Sequence, residues 1–207
     1  MTLTLFHAAN ACSLGIAFLL EEIGVPYRAH VLNLQTKENR DPEFLALNPK
    51  GKVPALLRSE GGLLTEFPAI AYWLARRFPE AGLFSDDLEE QTRMIEALEF
   101  IVGSVHMRGF TLFRVPQKFV PDAKAQDDLR VFGRAETQAG LAILSDRLGD
   151  KPFMFGKLSI VDAAMFYNLR WAVQENLNMP KNLHDLYARL SARPGALAAD
   201  ALIPAVH

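Results

Sequence analysis

Sulfur is scarce in this chain: 207 residues include a single cysteine, Cys12. No internal disulfide can form, and a cysteine-based metal centre is out of reach. The five histidines are scattered without ligand spacing, so no metal is expected. An excess of charge of one sign is also missing. Lysine plus arginine (22) nearly balances aspartate plus glutamate (24), and the basic residues form no stripe. The field that binds a phosphate backbone is absent, and nucleic acid is not an expected partner. Apolar stretches such as residues 15–20 are broken by charge within a few positions, well short of the roughly 20 residues that cross a bilayer. No membrane association is expected. No basic n-region followed by a long apolar segment opens the chain, so a reduced, cytoplasmic location is the expectation. The glycine signatures GxGxxG, the P-loop and GxSxG do not occur, nor does an internal repeat or a low-complexity tract.

What is present falls into two parts. Residues 1–79 read as a small α/β domain. Residues 3–6 form a strand; Leu14, Ile16, Ala17, Leu20 and Ile23 recur at helical spacing and stop at Gly24; residues 27–34 form a second strand. This βαβ order favours parallel pairing. After a loop come a third strand at 54–57, a turn in "EGGLL", a fourth strand, and a closing helix carrying Ala69, Ile70, Trp73, Leu74 and Phe78. A four-stranded mixed sheet follows. Proline, glycine and acidic residues mark 80–87 as a linker. From 88 to 207 the pattern is all-helical, with helical periodicity over about 88–113, 122–148, 159–176 and 183–192.

Several short stretches carry chemistry. Cys12 lies at a strand-to-helix turn, in "ANACSLG". Unpaired amides and the helix dipole there lower a thiol pKa, whereas a buried cysteine is inert; position alone allows both. Ser13 either caps the helix or hydrogen-bonds the sulfur. In "NPKGKVPALL", Pro54 enters a strand either as an edge-strand trans proline or through a cis Val53–Pro54 bond that turns the Val53 backbone toward an extended ligand. In "TEFPAI", Pro68 starts a helix, and Glu66 before it is either solvated or free to hold an ammonium group, with helix amides behind it suited to a carboxylate. "LSIVDAAMF" is a capping box, Ser159 with Asp162, and reads as structural. His106, in "FIVGSVHMRGF", is on a helix, where a lone histidine is filler or functional.

Taken together, "ACSL", "NPKGKVPALL", "LLTE", "VHMRGFTLF", "LRWAV" and "ARP" resemble the soluble glutathione S-transferases, and the bacterial beta class in particular, over nearly the whole chain. The resemblance implies a thioredoxin-like glutathione-binding domain followed by a helical domain, with glutathione as co-substrate and a small hydrophobic electrophile as its partner. It implies that Cys12 borders the glutathione sulfur, with Ser13 beside it and His106 reaching it from the helical domain. It also implies that Val53, before cis Pro54, pairs with the cysteinyl backbone, that Glu66 and the Phe67 amide hold the γ-glutamyl end, and that Lys37 reaches the glycyl carboxylate. A two-fold homodimer and a detoxifying role belong to the same expectation. Two positions depart from the pattern: Phe67 stands where relatives carry a small or polar residue, and Glu99 stands where many carry asparagine. Thiol transfer or deglutathionylation through Cys12, and a catalytically silent binding protein, are the alternatives. Gly15 at the C-x-x-C position excludes dithiol chemistry.

Overall fold

The run LTLFH, apolar at nearly every position, becomes strand β1 (Leu3–His7) at the centre of a sheet, where both faces are covered. The computed structural model describes residues 2–202. Strand β1 pairs in parallel with β2 (Tyr27–Val31) and antiparallel with β3 (Ala55–Arg58), which pairs antiparallel with β4 (Gly62–Thr65), giving the order β2-β1-β3-β4. The expected mixed sheet is present. Helix α1 (Ser13–Ile23) buries Leu14, Ile16, Phe18 and Leu20, and ends at Gly24, whose φ of 73° needs glycine.

Where the sequence indicates only a loop after β2, the structure has a short helix, α2 (Pro42–Leu47), with proline at its first position. Six residues give too little periodicity to register. Its Phe44 packs with Phe6, Leu32 and Ala55 in a small apolar cluster. Helix α3 (Phe67–Arg77) closes this part of the chain.

The chain divides into two units, the described residues up to Phe84 with those from Leu190 onward, and Ser85–Arg189. The second contains α4 (Leu88–Glu99), α5 (Thr111–Arg114), α6 (Ala123–Leu148) and α7 (Ile160–Gln174), and most of α8 (Lys181–Ser191). The single helix expected over about 88–113 is interrupted: Phe100–Phe110 is π-helical. At the end of this stretch the Thr111 amide bonds back five residues to the His106 carbonyl, and the Thr111 hydroxyl donates to the same oxygen at 3.0 Å.

The division differs from the expected boundary at the end of the chain. A last helix, α9 (Pro194–Ala201), absent from the sequence reading, packs on α1 in the first unit rather than joining the helical one. Arg193 donates to Glu22 at 2.6 Å, and a Cβ on Gly195 would lie 2.5 Å from the Glu22 carboxylate, so a larger residue there would require the Glu22 side chain to shift. No described helix is long and apolar enough to cross a membrane.

Candidate functional site

Cys12 is the residue just before α1, with helical backbone angles and no capping role for its side chain. The half-buried thiol donates to the Val53 carbonyl at 3.7 Å, and the Val53–Pro54 bond is cis. The depressed pKa that a helix start favours does not occur. Desolvation outweighs the backbone donors, the nearby Glu66 charge opposes ionisation further, and the thiol is pushed up to about 12. At neutral pH Cys12 is a neutral S–H donor. Ser13 is fully buried: its hydroxyl accepts the Ala8 amide at 3.2 Å, and its backbone amide acts on the Cys12 sulfur, favouring ionisation.

Glu66 stands at the start of α3 with φ 70°, a left-handed conformation rare for a residue with a side chain. Its carboxylate already holds an ammonium group: Lys50 Nζ donates to Oε1 at 2.6 Å and to the Thr65 hydroxyl at 2.8 Å. Phe67 turns inward, 3% exposed, so its ring occupies the core. Lys37 sits in an exposed loop, with φ 64°, ahead of a single turn at Glu38–Arg40. The lysines in touch with the other candidates are Lys50, on Glu66, and Lys52, whose charge acts on Cys12. Sequence reasoning missed both, although "NPKGKVP" displays them.

His7 was missed as well. At the end of β1 it is completely buried, and neither ring nitrogen reaches hydrogen-bonding geometry with a described residue. Burial pulls its pKa down to about 4, against the raising influence of the Ser13 backbone and the Asp200 charge. Histidine in a strand otherwise read as apolar was the available signal.

In the second unit, His106 lies in the π-helical stretch. Its Nδ1 is 3.1 Å from the hydroxyl of Tyr167 on α7, and its ring meets those of Tyr167 and Trp171 edge-on, with centroids 5.5 and 4.9 Å away. Glu99 is exposed at the end of α4, its carboxylate lying over Gly103. The Asp162 carboxylate accepts the Ser159 amide and hydroxyl and the Met154 amide, at 2.7 to 2.9 Å, a structural knot at the start of α7. Among the described residues no cluster of histidine, cysteine and carboxylates fit for a metal ion occurs.

The profile of the glutathione S-transferase N-terminal domain matches residues 11–77. The chain is 34% identical over 210 residues to glutathione S-transferase GstA of Escherichia coli O157:H7, covering 96% of this chain and 98% of that protein. It superposes on the bacterial beta class glutathione S-transferase of Sphingomonas chungbukensis with a TM-score of 0.82 and 30% identity, covering 98% of this chain and 100% of that one. A sphingomonad glutathione S-transferase complexed with glutathione aligns with a TM-score of 0.81 and 27% identity, covering 95% of this chain and 96% of that one. With a cysteine at the start of α1, a cis proline before β3, an acidic residue at the start of α3 and full-length similarity to GstA, the chain belongs to the glutathione S-transferase family.

Proposed function

We propose that this protein binds glutathione on its first unit and transfers the tripeptide's thiolate to a small hydrophobic electrophile. Glutathione is an extended molecule with two carboxylates and one amine. Glu66 suits the amine, and the Lys50 ammonium resting on it at 2.6 Å has the charge and hydrogen-bonding pattern the amine would bring. The Phe67 amide at the start of α3, the Val53 backbone, and lysines 37, 50 and 52 match the remaining groups: a carboxylate at a helix start, a strand-like backbone and a second carboxylate. Loss of a side-chain hydroxyl at Phe67 predicts weaker glutathione binding than a serine there would give.

What favours this reading over thiol transfer is the setting of Cys12, whose S–H donates to the Val53 carbonyl at 3.7 Å while burial opposes its ionisation. A thiol pushed up to about 12 is almost wholly protonated at neutral pH, and the protonated form does not attack disulfides. Once the Val53 carbonyl takes the glutathione backbone in place of the Cys12 S–H, that single proton is released to donate to the bound thiolate, and glutathione itself is the nucleophile. Apolar side chains of the helical unit take the electrophile, and the protein works as a cytoplasmic homodimer in detoxification, where one unpaired cysteine suits a reducing compartment.

The test is conjugation of glutathione to an aromatic electrophile by wild type and Cys12→Ala. Loss of a single weak S–H donor costs less than about tenfold in kcat/KM. Abolished conjugation, or reduction of a glutathione mixed disulfide by added glutathione that disappears in the variant, would instead establish Cys12 as the nucleophile.

A further inference from the structure

Within the first unit, the Lys50 ammonium sits where β4 runs into α3. Its Nζ donates to Glu66 Oε1 at 2.6 Å and to the Thr65 hydroxyl at 2.8 Å, so one ammonium engages two acceptors on successive residues. The contact is open to solvent: 52% of the Lys50 side chain and 63% of the Glu66 side chain are exposed. The backbone that carries Lys50 is pinned. Buried Asn48 accepts the Lys50 amide on its side chain at 3.3 Å, donates to the Lys52 carbonyl at 2.8 Å, and takes the Gly51 amide on its own carbonyl at 2.9 Å. Asn39 donates to the Gly51 carbonyl at 2.7 Å. The two segments lie so close that a Cβ on Gly51, at φ 57°, would come within 2.9 Å of the Asn39 carbonyl oxygen. A braced loop therefore carries a long, solvent-exposed side chain whose charged head can leave Glu66 while the backbone stays in place.

A carboxylate beside a hydroxyl is also what the primary amine of a ligand would seek. Two ammonium groups on one carboxylate repel each other, so a ligand amine gains the full attraction of Glu66 only as Lys50 withdraws. We propose that Lys50 is an internal competitor for the amine of glutathione: it occupies Glu66 in the free protein and gives way when the γ-glutamyl ammonium arrives. This deepens, and rests on, the reading that the first unit binds glutathione with Glu66 on the amine. In the free protein the Lys50 charge offsets a carboxylate that would otherwise repel the two carboxylates of the approaching tripeptide. In the complex it sets how strongly the site prefers a ligand that carries an amine. An exposed ion pair of this kind is weak, which makes Lys50 displaceable.

The experiment is calorimetric titration of wild type and Lys50→Met, at low ionic strength, with reduced glutathione and with its analogue lacking the α-amino group. The quantity read is the ratio of the two dissociation constants in each protein. The field of Lys50 on the ligand carboxylates is common to both ligands and cancels when the ratios are compared. The preference for glutathione over the analogue is expected to be about two- to fivefold larger in Lys50→Met than in wild type, the range of an exposed ion pair. Lys50→Gln, a second uncharged replacement at this exposed position, should show the same gain. An equal preference in the three proteins, or a smaller one in the two variants, overturns the competition while leaving glutathione binding in place. No binding of glutathione to any of the three, with each still folded, overturns the reading beneath it as well.

Discussion

Replacing His7 should change how the protein responds to acid. The side chain is fully buried, and its pKa drops from the ordinary 6.5 to about 4 because burial opposes the charged ring. The unfolded chain therefore takes up this proton more readily than the folded one. The contribution is complete above the ordinary value and is lost as pH falls through about 4. A depression of roughly two and a half units at about 1.4 kcal/mol each is worth about 3 kcal/mol. His7→Leu, close in volume and unable to titrate, removes that dependence. Urea unfolding followed by tryptophan fluorescence at intervals from pH 7.5 to 4 reads the difference between the two proteins, in which other titrating groups cancel. Wild type should lose about 3 kcal/mol relative to His7→Leu across this range. Parallel curves would refute the reasoning and mean that the ring is hydrated or paired in the folded protein.

Asp162 acts with the opposite sign. Burial raises its pKa from 3.8 to about 6 despite three hydrogen bonds, so its contribution is present below its ordinary value and lost as pH rises through about 6. Asp162→Asn should flatten that limb in the same unfolding series. Alkylation of Cys12 by iodoacetamide should be slow at neutral pH and still accelerating above pH 10, because burial keeps the thiol protonated; a rate already at its plateau at pH 7 would show a thiolate. Gly133→Ala places a Cβ 2.7 Å from the Gly109 carbonyl oxygen and the Phe113 amide nitrogen, both backbone atoms that cannot rotate away. It should cost about 1–3 kcal/mol by thermal unfolding, and an unchanged Tm would mean the helices part without penalty.

The strands and longer helices were legible because their apolar residues recur over enough positions to show a period, as in α1 and α7. Helix α2, only six residues long, was not, nor was α9, whose place depends on Glu22, more than 170 positions away in the chain. The π-helical stretch around His106 has no period of its own to read, and at its end Thr111 bonds back five residues. At the candidate site, turn and cap residues marked the positions of Cys12, Val53, Pro54 and Glu66, but the residues alone left the Val53–Pro54 isomer and the partner of Glu66 open. The ionisation of Cys12 was not legible, since a helix start and burial pull the thiol in opposite directions and only the packing decides which prevails. Lys50 was overlooked for a related reason, as a lysine in a loop announces no partner until folding brings Glu66 to it.

The central claim is that this fold retains a working glutathione site despite Phe67 and Glu99. Calorimetric titration of the reduced protein with glutathione tests it directly. One site per chain is expected, with Kd between about 1 μM and a few mM, weakened in Glu66→Gln. No heat and no rise in Tm at about 10 mM glutathione, in a protein that remains folded, would contradict it.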